Sequence, residues 1–316
     1  MIISASRRTD IPSYYSEWFF NRIKAGYVYV RNPMNPHRIS EVSLSPDVVD
    51  GIVFWTKNPA PMLDRLDELK DYTYYFQFTL NPYGSDVEQN VPSKNEVVIP
   101  AFQKLSSAIG KERVVWRYDP VLLSEQYTLE YHVNCFRLLC DRLSDYTEKC
   151  TISFIDMYKN IHRRMSSLGI LALSHDQIEE LAGRFSEIAG EHGLSIDTCA
   201  EEIDLSKFGI NHAGCIDARR LERIGNYKLD IERDPNQRAA CGCAASIDIG
   251  AYNTCRNGCV YCYANFNQTL VNDCCGKHNA GAPLLCGEVS ADDVIKPRVM
   301  KSCKNGQMSL FESIGV

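Results

Sequence analysis

Short runs rich in β-branched and aromatic residues alternate along this chain with stretches whose apolar positions recur every three or four residues. Runs of the first kind lie at residues 2–5, 51–56, 73–80, 113–118, 151–156, 194–197 and 246–249, with a shorter one at 27–30, and predict strands. Between them the spacing predicts helices. Residues 13–25 form one pattern, stopped by Gly26. Leu63, Leu66 and Leu69 recur every three residues. Ile99, Phe102, Leu105 and Ile109 share a face, as do Leu129, Val133, Phe136, Leu139 and Leu143. Ile178, Leu181, Phe185 and Ile188 form another stripe, opened by Ser174 with Gln177 at capping-box spacing.

Strand–helix alternation implies parallel strands joined by crossovers. The expected fold class is α/β, a complete or partial (β/α) barrel, with an open doubly wound sheet as the runner-up. The chain divides into 1–198, the main part of the barrel, 199–275, a cysteine-rich segment that completes it, and 276–316, a tail of weak pattern.

The predicted strand ends carry an unusual polar set: Arg7, Arg8, Thr9 and Asp10; Thr56, Lys57 and Asn58; Thr79 and Asn81; Arg117 and Asp119; Asp156; and Cys199 with Glu201 and Glu202. Any one Asp or Asn there reads first as a helix cap. The set, with Lys57 and Arg117 in it, reads as a polar site on the face where barrel enzymes work.

At 316 residues the chain fits a single α/β barrel, and 45% hydrophobic residues suffice for a large core. A net charge of −6 removes a bulk cationic surface for nucleic acid and leaves room only for a local basic patch. Residues 219–238 mix Arg and Lys with Asp and Glu and read as a solvated, salt-bridged surface. Arg7–Arg8 and Arg163–Arg164 could bind a phosphate or carboxylate. No apolar run has signal-peptide or membrane-spanning length, so the expected compartment is the cytoplasm, with no membrane partner. In that reducing setting fourteen cysteines, none before Cys135, point to metal or redox chemistry.

The most specific signal is the stretch NTCRNGCVYCYA, residues 253–264. It spaces Cys255, Cys259 and Cys262 as C-x-x-x-C-x-x-C. Three thiolates on a 4Fe–4S cluster leave one iron open to chelate the amino and carboxylate groups of S-adenosylmethionine (SAM). Gly258 lets the loop turn tightly, and Tyr261 could pack beside the adenine. Zinc, which prefers four ligands in paired C-x-x-C units, fits three poorly. A second group, Cys199, Cys215, Cys241 and Cys243, could hold an auxiliary 4Fe–4S cluster or a zinc clip, with His212 able to replace one ligand. Cys135, Cys140 and Cys150 read as core.

The cysteine motif resembles that of the radical SAM superfamily, which has an aromatic residue before the last cysteine. FWTKNP (54–59), YFQFTL (75–80) and WRYDPVLL (116–123) resemble successive strands of the spore photoproduct lyase-like group, and SRRTDIPSYY (6–15) its Thr-Asp segment. The whole chain also resembles the uncharacterised DUF1848 family. Because the motif comes late and follows its own strand, the resemblance implies a circularly permuted radical SAM barrel. It implies an anaerobic enzyme that cleaves SAM to a 5′-deoxyadenosyl radical acting on an unidentified substrate. Lys57 would contact SAM, with Thr79 and Asp10 as further contacts. Arg117, Asp119 and Asp156 would line the substrate side, and Tyr118, Tyr158 or Cys199 would donate or relay a hydrogen atom. An electron donor such as flavodoxin or ferredoxin is the implied partner. Arg7 and Arg8 occupy the stretch where photoproduct lyases have a hydrogen-donating cysteine, so thymine-dimer repair by that route is not expected. In the tail, Gln307, Leu310 and Phe311 resemble a sliding-clamp docking peptide. The rival from another class is a non-enzymatic, metal-stabilised nucleic-acid or protein-binding module.

Overall fold

The computed structural model describes residues 1–157 and 161–305. Eight strands form one sheet: β1 (Ile2–Ala5), β4 (Gly51–Thr56), β5 (Tyr74–Thr79), β6 (Val114–Val121), β7 (Lys149–Phe154), β8 (Ser195–Cys199), β9 (Asn211–Ala213) and β10 (Ser246–Asp248). Their order is β10-β1-β4-β5-β6-β7-β8-β9, and every neighbouring pair is parallel. The expected α/β class with parallel strands is therefore what forms. β10 and β9 are the two edges of the sheet and do not pair with each other. A smaller sheet joins β2 (Tyr27–Asn32), β3 (Asn35–Ser43) and β11 (Val294–Pro297) in the order β11-β3-β2.

Side chains alternate between the two faces of the large sheet. Tyr74, Phe76 and Phe78 of β5 enter the main core, as do Val114, Trp116 and Tyr118 of β6. There they meet α3 (Ile99–Ile109), α4 (Leu129–Leu143) and α6 (His175–Glu191) through Phe102, Phe136 and Phe185. Phe136 stacks on Trp116 at 5.1 Å and on Phe185 at 4.2 Å between ring centroids. The stripes read over residues 99–109, 129–143 and 178–188 thus face this core, and the capping box of Ser174 and Gln177 forms at the start of α6.

The other face is covered by the chain's own later segments. Ile2, Val53, Tyr75 and Val115 pack against Ile216, Leu221, Cys215 and Cys243. Leu221 belongs to α7 (Ala218–Gly225), which sits so close that a Cβ on Gly51 would lie 2.6 Å from its side chain. The 219–238 stretch is accordingly not all solvated surface. Arg220 is buried and donates to the Glu112 carbonyl, while Arg223 remains exposed.

Other details depart from the sequence pattern for local reasons. The helix predicted over 13–25 is two, α1 (Ile11–Tyr14) and α2 (Ser16–Ala25), divided at Tyr15. α1 starts early because the Asp10 carboxylate accepts from the Ser13 backbone N–H at 3.0 Å. The Leu63–Leu69 stripe lies on a 3₁₀ helix. β3 and β9 are mostly polar, and β11 is short and wholly exposed, so no apolar alternation marks them. Among the described residues no helix is long and apolar enough to cross a membrane.

One buried polar pair ties β6 to α4. His132 lies with Nε2 2.7 Å from the Leu122 carbonyl and Nδ1 2.8 Å from the Tyr118 hydroxyl. A carbonyl can only accept, so Nε2 carries the proton and Nδ1 accepts from Tyr118. Burial pushes the imidazole pKa down to about 4, against an ordinary 6.5. The folded state therefore excludes a proton that the unfolded chain binds. This contribution is intact above pH 6.5 and is lost as pH falls toward 4, a change of roughly 3 kcal/mol. Urea denaturation at pH 7 and pH 4.5 should show the loss in the wild type and a much smaller one in His132→Gln. Equal slopes against pH would remove His132 from the account.

Candidate functional site

A cavity of about 320 Å³ opens at the C-terminal ends of the parallel strands. Lys57, Thr79, Arg117, Asp119 and Asp156 line it from strand ends, with Asp10 from the turn after β1. Cys255, Cys259, Tyr261 and Cys262 line it from the loop after β10, and Cys199, Cys215, Cys241 and Cys243 line it too. Parallel pairing explains the convergence, since every strand of such a sheet delivers its C-terminus to the same side.

The loop is positioned first by β10, whose Asp248 accepts from Ser4 Oγ at 2.8 Å, Ser6 Oγ at 2.6 Å and the Arg7 backbone N–H at 2.8 Å. Beyond it, the segment after β5 acts as a second support. Asn90 N–H donates to the Asn257 carbonyl at 3.0 Å, and Asn90 Nδ2 to the Arg256 carbonyl at 2.8 Å. Val260 N–H donates to the Val87 carbonyl at 3.0 Å. Gly258 turns here with φ +66°, and a Cβ would stand 3.0 Å from Asn90 Nδ2, so both conformation and space require glycine. Tyr15 OH donates to the Thr254 carbonyl at 2.5 Å, and Arg164 caps the Cys262 carbonyl at 2.9 Å. Arg164 is thus engaged with the loop backbone, a use its sequence did not suggest.

The cationic and anionic residues here are paired inside the protein. Lys57 Nζ donates to Glu88 Oε1 at 2.7 Å and to Tyr261 OH at 2.8 Å, and Tyr261 OH donates in turn to Glu88. Lys94 completes the surroundings of Glu88. Burial alone would raise the Glu88 carboxyl pKa, but Lys57 and Lys94 outweigh it and hold the group well below its ordinary range. Asn81 Nδ2 donates to the Asp119 carbonyl at 2.8 Å, and Asn81 Oδ1 accepts from Asp119 N–H at 2.8 Å. Asp10 Oδ2 accepts from Lys57 N–H at 2.8 Å and from Asn257 Nδ2 at 3.1 Å, linking β4 to the cysteine loop. Asp10 and Lys57 therefore hold the loop in place. Glu88 was missed by sequence reasoning, because a lone Glu among polar residues at 85–90 reads as surface.

Deeper in the cavity Arg117 is fully engaged. Its Nε donates to Asp119 Oδ2 at 3.0 Å and its Nη1 to Cys215 Sγ at 2.7 Å. Ser153 donates to the other Asp119 oxygen. Burial would raise the Asp119 pKa, but Arg117 and Ser153 outweigh it, so the carboxylate stays ionised. Asp156 lies at the exposed rim, paired with Arg238. Among the hydrogen-donor candidates, Cys199 lines the cavity, whereas Tyr118 is buried in the main core against His132. The side chain of Tyr118 points away because it alternates with Arg117 along β6, so a hydrogen-relay role does not fit it. Tyr158 and the docking-like peptide at 307–311 lie outside the described residues.

Burial pushes the Cys259 thiol up to about 12 and raises Cys255 and Cys262 as well. Among the described residues no three His, Cys, Asp or Glu side chains are already set around one point as ligands of a metal ion. Three thiols converging on one cavity next to a buried cation nevertheless suit a group that would replace their protons.

Fold and site together define an α/β protein with a parallel sheet and a cysteine-lined cavity at the strand C-termini. The chain belongs to the family described as "Domain of unknown function (DUF1848)", whose model matches residues 2–264. No curated protein matches the chain. Among solved structures it is similar to one described as "a putative alpha-L-fucosidase from Bacteroides thetaiotaomicron VPI-5482". The two share 12% identity over 50% of this chain and 66% of the other, with a TM-score of 0.26. A likeness of that size carries no argument about fold or activity.

The pairing of Lys57 with Glu88 has a measurable consequence. Removing one partner leaves a buried charge uncompensated, which costs about 3 kcal/mol or more. Glu88→Gln, which strands Lys57 and Lys94 together, should lower stability by that order in chemical denaturation, and Lys57→Met by less, because Lys94 stays paired with Glu88. The double variant should lose clearly less than the sum of the two. Additive losses would mean that the pair does not hold the loop.

Proposed function

We propose that the chain is a radical SAM enzyme in which Cys255, Cys259 and Cys262 bind a 4Fe–4S cluster. The observation that supports this best is the C-x-x-x-C-x-x-C loop seated over the C-terminal ends of a parallel sheet, with all three thiols on one cavity. With three protein ligands, such a cluster would keep an open iron for SAM and supply the electron that cleaves it reductively to a 5′-deoxyadenosyl radical.

The chain's own residues have distinct tasks in this reading. Asn257 and Tyr261 pin the loop on either side of Cys259, through Asp10 and through Lys57 with Glu88. Tyr261 would serve less as an adenine platform than as a brace, because its hydroxyl is already tied to Glu88. Thr79 and the Arg117–Asp119 pair present polar groups to the cavity wall, and Asp156 with Arg238 marks its mouth. The ion pairs in the wall keep a fixed charge arrangement at the site. The family placement proposed is a permuted radical SAM barrel, and it is supported by β10, which comes last in the sequence of the large sheet yet lies beside β1. The proposed setting is the cytoplasm under anaerobic conditions, with flavodoxin or ferredoxin as electron donor and an unidentified substrate.

Reconstitution with iron and sulfide under anaerobic conditions should give a brown protein that releases 5′-deoxyadenosine from SAM under strong reductant. Replacing Cys255, Cys259 and Cys262 together with Ala should abolish the release. A triple variant that still makes 5′-deoxyadenosine, or a wild type that stays colourless and inert, would reject the proposal.

A further inference from the structure

The two unpaired edges of the large sheet are not left apart. β9 runs directly into Cys215, and Cys243 leads directly into β10. Between these segments Ala244 N–H donates to the Ile216 carbonyl at 2.9 Å. Cys199 approaches the same place from the end of β8. We propose that Cys199, Cys215, Cys241 and Cys243 bind a single zinc ion that closes this seam. The site is separate from the loop of Cys255, Cys259 and Cys262 and does not depend on the function of that loop.

Three observations carry the assignment. First, the thiols form one contiguous group drawn from three separate stretches of chain. Cys199 Sγ and Cys215 Sγ are 2.7 Å apart, and Cys215, Cys241 and Cys243 are buried in one cluster against which Cys199 packs. Second, two of the four sulfurs receive N–H donors. Arg117 Nη1 donates to Cys215 at 2.7 Å, and Ile216 N–H donates to Cys243 at 3.4 Å. Donors placed in this way would stabilise a sulfur once a metal ion had displaced its proton. Third, the group is compact. A tetrahedral zinc with Zn–S of about 2.3 Å sets its sulfurs roughly 3.8 Å apart. The nearest pair here would open by about 1 Å to admit one ion. A four-iron cube holds its ligands at its outer corners and would force the four segments much further apart.

The surroundings suit a closed, structural site. Four thiolates fill zinc's tetrahedron and leave no position for substrate. They also exceed the charge of the ion, and the buried Arg117 guanidinium lies against Cys215 to offset the excess. Tyr75 OH and Gln77 Nε2 both donate to the Cys215 carbonyl, at 2.5 and 2.7 Å, so the ligand backbone is fastened to β5. Partners of this kind orient ligands and tune a metal site. Arg117 joins the two parts of the cavity, since the same guanidinium binds Asp119 on its other side. The ion would therefore form the floor of the cavity and fix the direction of the Arg117–Asp119 pair.

Metal analysis of the full chain tests this, in the wild type, in the Ala variant at 255, 259 and 262, and in Cys241→Ser/Cys243→Ser. About one zinc per chain is expected in the first two, with a shell of four sulfurs near 2.3 Å by X-ray absorption. The double Ser variant should lose the zinc. If that variant does not fold, the absorption spectrum of the wild type decides alone. About four irons and no zinc in the triple Ala variant would overturn the proposal in favour of an auxiliary cluster. A folded, metal-free wild type whose four thiols all react with an alkylating probe would overturn it in favour of plain cysteines. Neither result bears on SAM cleavage, which is read from a different product and lost through different cysteines.

Discussion

A single buried carboxylate, Glu88, ties the cysteine loop to the strand ends. The loop follows a three-residue strand at the edge of the sheet, and such a strand alone gives little purchase. Glu88 binds Lys57 from β4's end, Lys94 from the start of the next helical segment and Tyr261 from the loop itself. Three parts of the chain that are far apart in sequence thus share one charge. A buried ion pair of this kind contributes little net stability compared with an apolar contact, but it tolerates no substitution of one member. Its value lies in geometry, because the only arrangement that satisfies all the charges is the one that brings Tyr261 and its flanking cysteines over the strand ends.

Much of the architecture was legible in the sequence because it rests on local pattern. Strands buried on both faces, such as YYFQFT and VVWRY, leave dense apolar runs, and helices over them leave clean stripes at Phe102, Phe136 and Phe185. The late strand at 246–248 was also readable from its pattern, and it pairs beside β1. What could not be read were elements held by tertiary context. β3 and β9 are mostly polar, and α7 packs into the second face although its charged residues suggested open surface.

The candidate site was legible in a different way. Residue type and strand-end position sufficed to collect Lys57, Arg117, Asp119 and the seven cysteines, all of which line one cavity. Pairing was not legible. Nothing in the sequence says that Lys57 is spent on Glu88, that Asp10 caps α1 while binding Asn257, or that Tyr118 turns toward His132. Alternation along β6 separates Arg117 and Asp119 from Tyr118, and that assignment depends on which face carries the helices. For α/β proteins of this type, position along the chain identifies who is at the mouth of the sheet. Hydrogen-bond partners then decide which of those groups has any capacity left for a ligand.

The place of β10 beside β1 has a consequence for how the chain is made. β1 is synthesised long before β10, and Ile2 and Ile3 are fully buried in the finished molecule. One side of it pairs with β4 within about fifty residues, but the other waits for residues 246–248. During synthesis the nascent sheet therefore carries an open, apolar edge until residues 246–248 have appeared. Pairing across such a sequence distance is slow to form and leaves intermediates prone to association. A fragment ending before residue 246 would keep that edge for good, so the cysteine-rich segment is also what renders the N-terminal half safe to hold in solution.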